Sequence, residues 1–222
     1  MRETPHVSAR PPLYGAQQSR FARYLERREE RRPDPVAREL RRRLLAGLRG
    51  RVLELGCGDG RAFELYPPTV TSVLAVEPDP SARAVAVESA RESGLRIDVV
   101  DGVASALPAA DAVFDVAVVI WVLCSVPNPS QALRELRRVL VPGGELRFYE
   151  HVRSNHVAFS SLQRAADALF WTRALGGCET ARDTEAEIRA AGFDILGLSR
   201  GFHSSSLLTI TSAPYVVGIA RS

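Results

Sequence analysis

The run RVLELGCGDG, from Arg51 to Gly60, sets a short apolar stretch directly against glycines at 56, 58 and 60. A bounded apolar run of this length reads as a buried strand. Three closely spaced glycines after it let backbone approach a ligand with no side chain in the way. The combination points to an open, doubly wound α/β sheet, in which ligands collect outside the carboxyl ends of the strands where the strand order reverses.

The rest of the chain keeps the alternation such a sheet needs. Apolar runs at Val52–Leu55, Val73–Val76, Ile97–Val100, Val113–Ile120 and Leu146–Tyr149 are separated mostly by helical stretches. One helix is predicted after Asn128, with Asn128 as its cap, Pro129 in the first turn and Leu133, Leu136 and Leu140 on one face. Another is predicted to open at the capping-box pattern Thr184-Glu185-Ala186-Glu187 and to stop at Gly192. Phe159, Leu162, Ala166, Leu169 and Phe170 fit one apolar helical face, followed by Trp171. The segment from Gly201 to Pro214 reads as a loop or hairpin before a final strand.

At 222 residues, 45% hydrophobic and 25% charged, the composition is that of one soluble globular domain with room for a full core. The longest apolar run, Val116 to Val126, falls short of the roughly 18 residues of a membrane span, and a cytoplasmic location is expected. Cys57, Cys124 and Cys178 form no CxxC pair, which favours reduced thiols over a disulfide framework, and their spacing offers no support for a metal. All basic residues are arginine, and residues 1–51 hold 14 of them against 6 acids. Such a segment suits nucleic acid or an anionic membrane surface. Here, however, arginines alternate with acids, and Val36, Leu40, Leu44 and Leu48 recur like the buried stripe of a helix, so a solvated helix face is expected and no nucleic-acid partner.

A nicotinamide fingerprint would want its third glycine at position 61, which is Arg61. The acids Glu54 and Asp59 flank this loop, and they suit a cationic ligand better than a pyrophosphate. S-adenosylmethionine carries an ammonium and a sulfonium, and its ribose diol would suit Glu77, the acid that ends the second strand.

Together these residues resemble a class I S-adenosylmethionine-dependent methyltransferase. VLELGCGDG is similar to that family's first motif, AVEPD to its second-strand acid, LPAADAVFDVAVV to the approach to its fourth strand and LRRVLVPGGELRFYE to the turn into its fifth. VLCSVPNP, YEHVR, GGCETARDT and the terminal PYVVGIA further resemble the methyltransferase-like thiol S-methyltransferases. That group comprises membrane-associated eukaryotic enzymes, which begin with an apolar anchor not found here, and soluble bacterial relatives. The resemblance implies a Rossmann-like seven-stranded sheet, mostly parallel with the last strand antiparallel and with helices on both faces. It divides the chain into an arginine-rich helical lid over 1–50 and a methyltransferase domain over 51–222. It assigns the methionine end of the cofactor to Glu54, Gly56, Cys57, Gly58 and Gly60, and the ribose to Glu77 and Pro78. An acid often contacts adenine after the third strand, but the run here is Gly102-Val103-Ala104. Val103 and Ala104 would offer apolar contact and backbone amides, with Asp101 a substitute acid.

The end of the fourth strand, Trp121 to Ser125, is expected to face the transferable methyl group. Trp121 is either a ring beside the sulfonium or plain core. Cys124 is expected to line the acceptor site without acting as a nucleophile, because methyl transfer from a sulfonium needs no covalent enzyme intermediate. His151, at the end of the fifth strand, is the candidate catalytic base, with Glu150 as its orienter or a buried partner. Arg153 would pair with substrate or with a neighbouring acid. Phe21, Tyr24 and Trp171 are candidate acceptor-site residues. The first expectation is S-methylation of a small, uncharged thiol. The alternatives are O-, N- or C-methylation of a quinone, phenolic or lipid acceptor, a nicotinamide oxidoreductase, or a module that binds nucleic acid or an anionic membrane peripherally.

Overall fold

In the computed structural model, which describes residues 34–222 other than 175 and 205, seven strands form one sheet. They are β1 (Gly50–Leu55), β2 (Val70–Val76), β3 (Ile97–Val100), β4 (Phe114–Ile120), β5 (Leu140–His151), β6 (Asp194–Phe202) and β7 (Pro214–Arg221). Their order is β3-β2-β1-β4-β5-β7-β6. The first five pair in parallel, and β7 runs antiparallel to both β5 and β6. The order reverses between β1 and β4, and that crevice is where the glycine loop emerges.

Successive residues point to opposite faces of a strand, and the core divides accordingly. Leu53, Leu55, Ala117, Val119, Leu146 and Phe148 pack on one face with the helices α3 (Pro129–Val139) and α5 (Thr184–Ala190). Val52, Val73, Ala75, Val116 and Val118 pack on the other with α1 (Pro35–Leu45) and α2 (Pro80–Glu92). The predicted apolar runs mark the buried centres of longer strands. β1 begins at Gly50-Arg51 and β2 at Val70-Thr71-Ser72, where polar side chains leave the core.

Several expectations are corrected. The buried stripe of α1 is Ala37, Arg41, Leu44 and Leu45; Val36 is exposed and Leu40 only half-buried. Leu140 belongs to β5, because α3 ends at Val139 and the VPGG segment makes an irregularity between the pairs Phe114↔Leu140 and Val116↔Glu145. The cap of α5 is Asp183, whose carboxylate accepts from the Ala186 amide, while Thr184 is buried as the first helical residue. The Gly201–Pro214 stretch is the expected hairpin connection into the final strand, with Phe202 paired to Pro214, and it begins within β6, a strand with mostly exposed side chains that no apolar run announces.

The helix α4 (Val157–Ala166) departs furthest from expectation, because its buried face is Ser160, Gln163 and Ala166. Leu162, Leu169 and Phe170 are exposed. Gln163 is 0% exposed. Its amide nitrogen donates to the carbonyls of Val152, Thr180 and Thr211 at 3.1, 2.8 and 2.9 Å, and its Oε1 accepts from the Ser154 amide at 2.8 Å. One side chain thereby satisfies backbone groups from three separate loops, and unmade buried hydrogen bonds cost about 1–3 kcal/mol each. Gln163→Leu, similar in volume, should lower the unfolding free energy in urea by about 3 kcal/mol or more. Leu162→Gln on the exposed face should change it by no more than about 0.5 kcal/mol.

Candidate active site

The glycine loop turns on left-handed backbone. Gly56 has φ 67° and Gly58 φ 57°. A Cβ on Gly56 would lie 2.5 Å from Val122, so this glycine lets the β1 loop pack against the turn after β4. A Cβ on Gly58 would meet nothing within 4 Å. Gly58 faces open space, as a position reserved for ligand would. Gly60 is also left-handed, and packs close to Phe63. Cys57 is buried in the core beneath the loop, and burial among neighbouring acids pushes its thiol well above the usual range.

The two strand-end acids are held differently. Glu77 is buried, and its two oxygens accept from the Gly58 amide at 2.8 Å and the Asp79 amide at 2.9 Å. This links the ends of β1 and β2, and Pro78 completes the turn into α2. Burial raises the Glu77 carboxyl, against those two amides. Glu54 is buried and accepts from the Tyr66 hydroxyl at 2.9 Å. Burial pushes its carboxyl up to about 7, opposed by the Tyr66 hydrogen bond and the charge of Arg41. After β3, Val103 makes a tight turn, its carbonyl accepting from the Ala106 amide at 3.1 Å, and Ala104 packs against the core. Asp101 is engaged with Arg83 at 3.0 Å.

At the ends of β4 and β5 a second cluster forms. Trp121 has φ 59°, rare for a bulky residue. Its ring is stacked with His151 at 5.2 Å and 13° and tilted against Tyr149 at 5.2 Å. The Arg41 guanidinium sits 4.5 Å over the same ring. The cation on Trp121 is therefore an arginine of α1, from a segment expected to be a solvated face. Glu150, fully buried, accepts from the amides of Val122, Leu123 and Cys124, each at 3.0 Å. It frames the turn after β4 rather than orienting the imidazole. From the other side Arg182 donates to the carbonyls of Leu123 and Val126, the latter at 2.8 Å, and pairs with Glu179 at 2.8 Å. The Glu179 amide donates to the Cys124 carbonyl at 2.7 Å. These bonds bring Cys178 against Cys124, with their sulfurs 3.8 Å apart. His151 Nδ1 lies 3.8 Å from the Cys124 sulfur and 3.6 Å from that of Cys178. Arg153 pairs with Asp183 at 2.6 Å. Trp171 is buried with its ring edge-on to Phe170, while Phe21 and Tyr24 lie outside the described residues.

Residues 53–148 match the model of a methyltransferase domain family. The human thiol S-methyltransferase TMT1B is 33% identical over 182 residues, covering 79% of this chain and 73% of the relative.

The chain belongs to the methyltransferase family, alongside the thiol S-methyltransferases.

The rat TMT1B is 37% identical over 154 residues, covering 64% of this chain and 59% of the relative. A crystal structure of an S-adenosylmethionine-dependent methyltransferase from Mesorhizobium loti superposes with a TM-score of 0.61 at 19% identity, covering 83% of this chain and 96% of that one. At that identity the likeness is one of fold.

The cofactor of this methyltransferase is S-adenosylmethionine, and the described residues fit it. A carboxylate offers about four acceptor sites; Glu77 spends two on backbone amides and keeps two, the number a ribose diol requires. Glu54 is a buried carboxyl that accepts from a neutral hydroxyl, which suits an ammonium. Arg41, Arg182 and Gln163 were not singled out from the sequence. The only local trace of Arg41 is its spacing from Ala37, Leu44 and Leu45 on one helical face.

The raised Glu54 group has a signed consequence. Between the ordinary 4.5 and about 7 the folded methyltransferase holds more protons there than the unfolded chain, so this group's contribution to stability falls as pH rises through that window. The loss is on the order of 3 kcal/mol. In chemical denaturation at pH 5 and pH 8, Glu54→Gln, which keeps an acceptor for Tyr66, should lose less stability across the interval than the parent by that amount. Equal losses would assign the pH dependence to other groups.

Proposed function

We propose that this methyltransferase moves the methyl group of S-adenosylmethionine to the sulfur of a small thiol. The likeness to thiol S-methyltransferases carries this reading. It is supported by an acceptor end made of rings and sulfur, Trp121, His151, Cys124 and Cys178, which suits a soft, uncharged nucleophile. When bound, the cofactor supplies a sulfonium methyl group for direct transfer.

Glu54 and the Gly56–Gly60 loop hold the methionine end, Glu77 and Pro78 the ribose, and Val103 and Ala104 the adenine. Trp121 and Cys124 wall the acceptor site, and Trp171 backs it. Residues 1–50, with Phe21 and Tyr24, act as a lid over the sheet domain of 51–222; the contact of Arg41 with Trp121 supports that role for α1. His151 takes the acceptor's proton. Its Nδ1 faces the two cysteine sulfurs, which leaves Nε2 for that task. Most of the acceleration comes from orientation and exclusion of water. No described helix is long and apolar enough to cross a membrane. A cytoplasmic location is supported by three cysteines that remain free thiols.

Two experiments test this. Glu77→Ala should weaken S-adenosylmethionine binding in calorimetry by roughly 1.5–3 kcal/mol, the scale of a charge-assisted hydrogen bond. Gly58→Val should do more, because a β-branched residue is strained at that backbone angle and projects into the open space. Unchanged affinity in both folded variants would remove the assigned cofactor site.

The second concerns the acceptor. A free alkyl thiol with a pKa near about 8.5 is mostly protonated at pH 7, so a positioned base helps it. An aryl thiol arrives ionised. His151→Ala should slow alkyl thiol methylation by about 10²-fold while sparing the aryl thiol, and higher pH should rescue the alkyl reaction. Equal loss on both acceptors would make His151 a positioning residue, and no turnover on any thiol would overturn the acceptor.

A further inference from the structure

We propose that Cys124, Cys178 and His151 bind one zinc ion and that its fourth coordination position receives the acceptor thiol. The second half of this proposal rests on the thiol reading above. Ligands at Zn–S of about 2.3 Å and Zn–N of about 2.1 Å in a tetrahedron lie about 3.8 Å apart between two sulfurs and about 3.6 Å apart between sulfur and nitrogen. The three protein atoms are separated by 3.8 Å between the sulfurs and by 3.6 and 3.8 Å from sulfur to Nδ1. These separations are the ones that a single tetrahedral ion requires of its ligands. The sulfurs are much too far apart for a disulfide bond of about 2.05 Å.

The frame around the cluster is rigid in the way a metal site needs. Cys124 sits on the turn clamped by Glu150 and Arg182, Cys178 is laid against it by the Glu179 amide, and the His151 ring is fixed by its stack on Trp121. Both cysteines are buried and the imidazole is half-buried. Thiolate and imidazole are the donors zinc prefers. Two cysteines and one histidine make a three-ligand set, the number found where a zinc site keeps a position open for chemistry.

The steps balance. Zinc binding displaces the two cysteine thiol protons to solvent, leaving a neutral dithiolate–zinc centre. An acceptor thiol entering as fourth ligand releases its own proton to solvent. Its sulfur then forms the new bond to the methyl carbon as the carbon–sulfonium bond breaks, giving a neutral thioether and S-adenosylhomocysteine. The thioether is a weak ligand and leaves. Ligated through Nδ1, the neutral imidazole carries its proton on Nε2, so the ion replaces His151 as the group that activates the thiol, and His151→Ala then loses alkyl and aryl thiol methylation alike.

The test measures metal first. Protein purified with a thiol-free reductant should carry about one zinc per chain by mass spectrometry of the metal. Cobalt substitution should give a thiolate-to-cobalt charge-transfer band. Cys178→Ser and the half-exposed His151→Ala should each weaken zinc binding at least 100-fold in competition with a chromophoric chelator; His151→Ala serves if the buried serine variant fails to fold. Methylation of an alkyl thiol should vanish on chelation and return with zinc. Zinc affinity unchanged in the folded variants would overturn the site. Full thiol methylation by metal-free protein would overturn the role of zinc and leave the thiol reading standing. Zinc held by these residues with no thiol methylated would uphold the site and remove the thiol reading.

Discussion

A carboxylate sealed away from water is tolerable only where hydrogen bonds replace its hydration, and Glu150 finds three in succession on the backbone of Val122, Leu123 and Cys124. This fixes the turn after β4 to the end of β5. With Arg182 holding the carbonyls of the same turn, both edges of a short irregular segment are satisfied from outside it. The left-handed backbone of Trp121, the placement of its ring and the direction of the Cys124 thiol all follow from that frame. Burial raises the Glu150 carboxyl, and the three backbone amides oppose that rise.

The two ends of the crevice are built on different principles. The proposed cofactor end uses residues close in sequence: the glycine loop, Glu77 and the amides of Gly58 and Asp79 all fall within one strand–loop–strand unit. The proposed acceptor end is assembled from four distant stretches, contributed by α1, the turn after β4, the end of β5 and the segment before α5. Local patterns announce the first kind of site; of the second they mark Trp121, Cys124 and His151 by their places at strand ends, and not the partners Arg41, Cys178 and Arg182 that distant stretches bring to them.

That difference accounts for what was legible. The glycines, Glu77 and the alternation of apolar runs follow from backbone freedom and pleat, which a short window of residues displays. Arg41 was hidden in a run of arginines, because composition does not say which of them a helix turns inward. Gln163 was hidden for the opposite reason: its face of α4 is polar and still buried, since three loops need its amide more than the core needs another leucine. Two cysteines separated by 54 residues carry no spacing signal, and it is the bonds of Glu179 and Arg182 to the turn after β4 that lay them together. β6 escaped notice as an edge strand with little to bury.

The placement of β7 between β5 and β6 bears on the order in which the molecule comes into being. On a ribosome the strands β1 to β4 and the glycine loop emerge early, and the unit that receives the cofactor can pair before the second half of the chain exists. Arg182 follows Leu123 by 59 residues, and the strand that joins β6 to the rest of the sheet comes after all the other six in chain order. The first half thus has time to settle while the second still waits for its frame, and a nascent chain halted before β7 leaves one edge of β5 open and β6 with no partner, places at which another chain can pair.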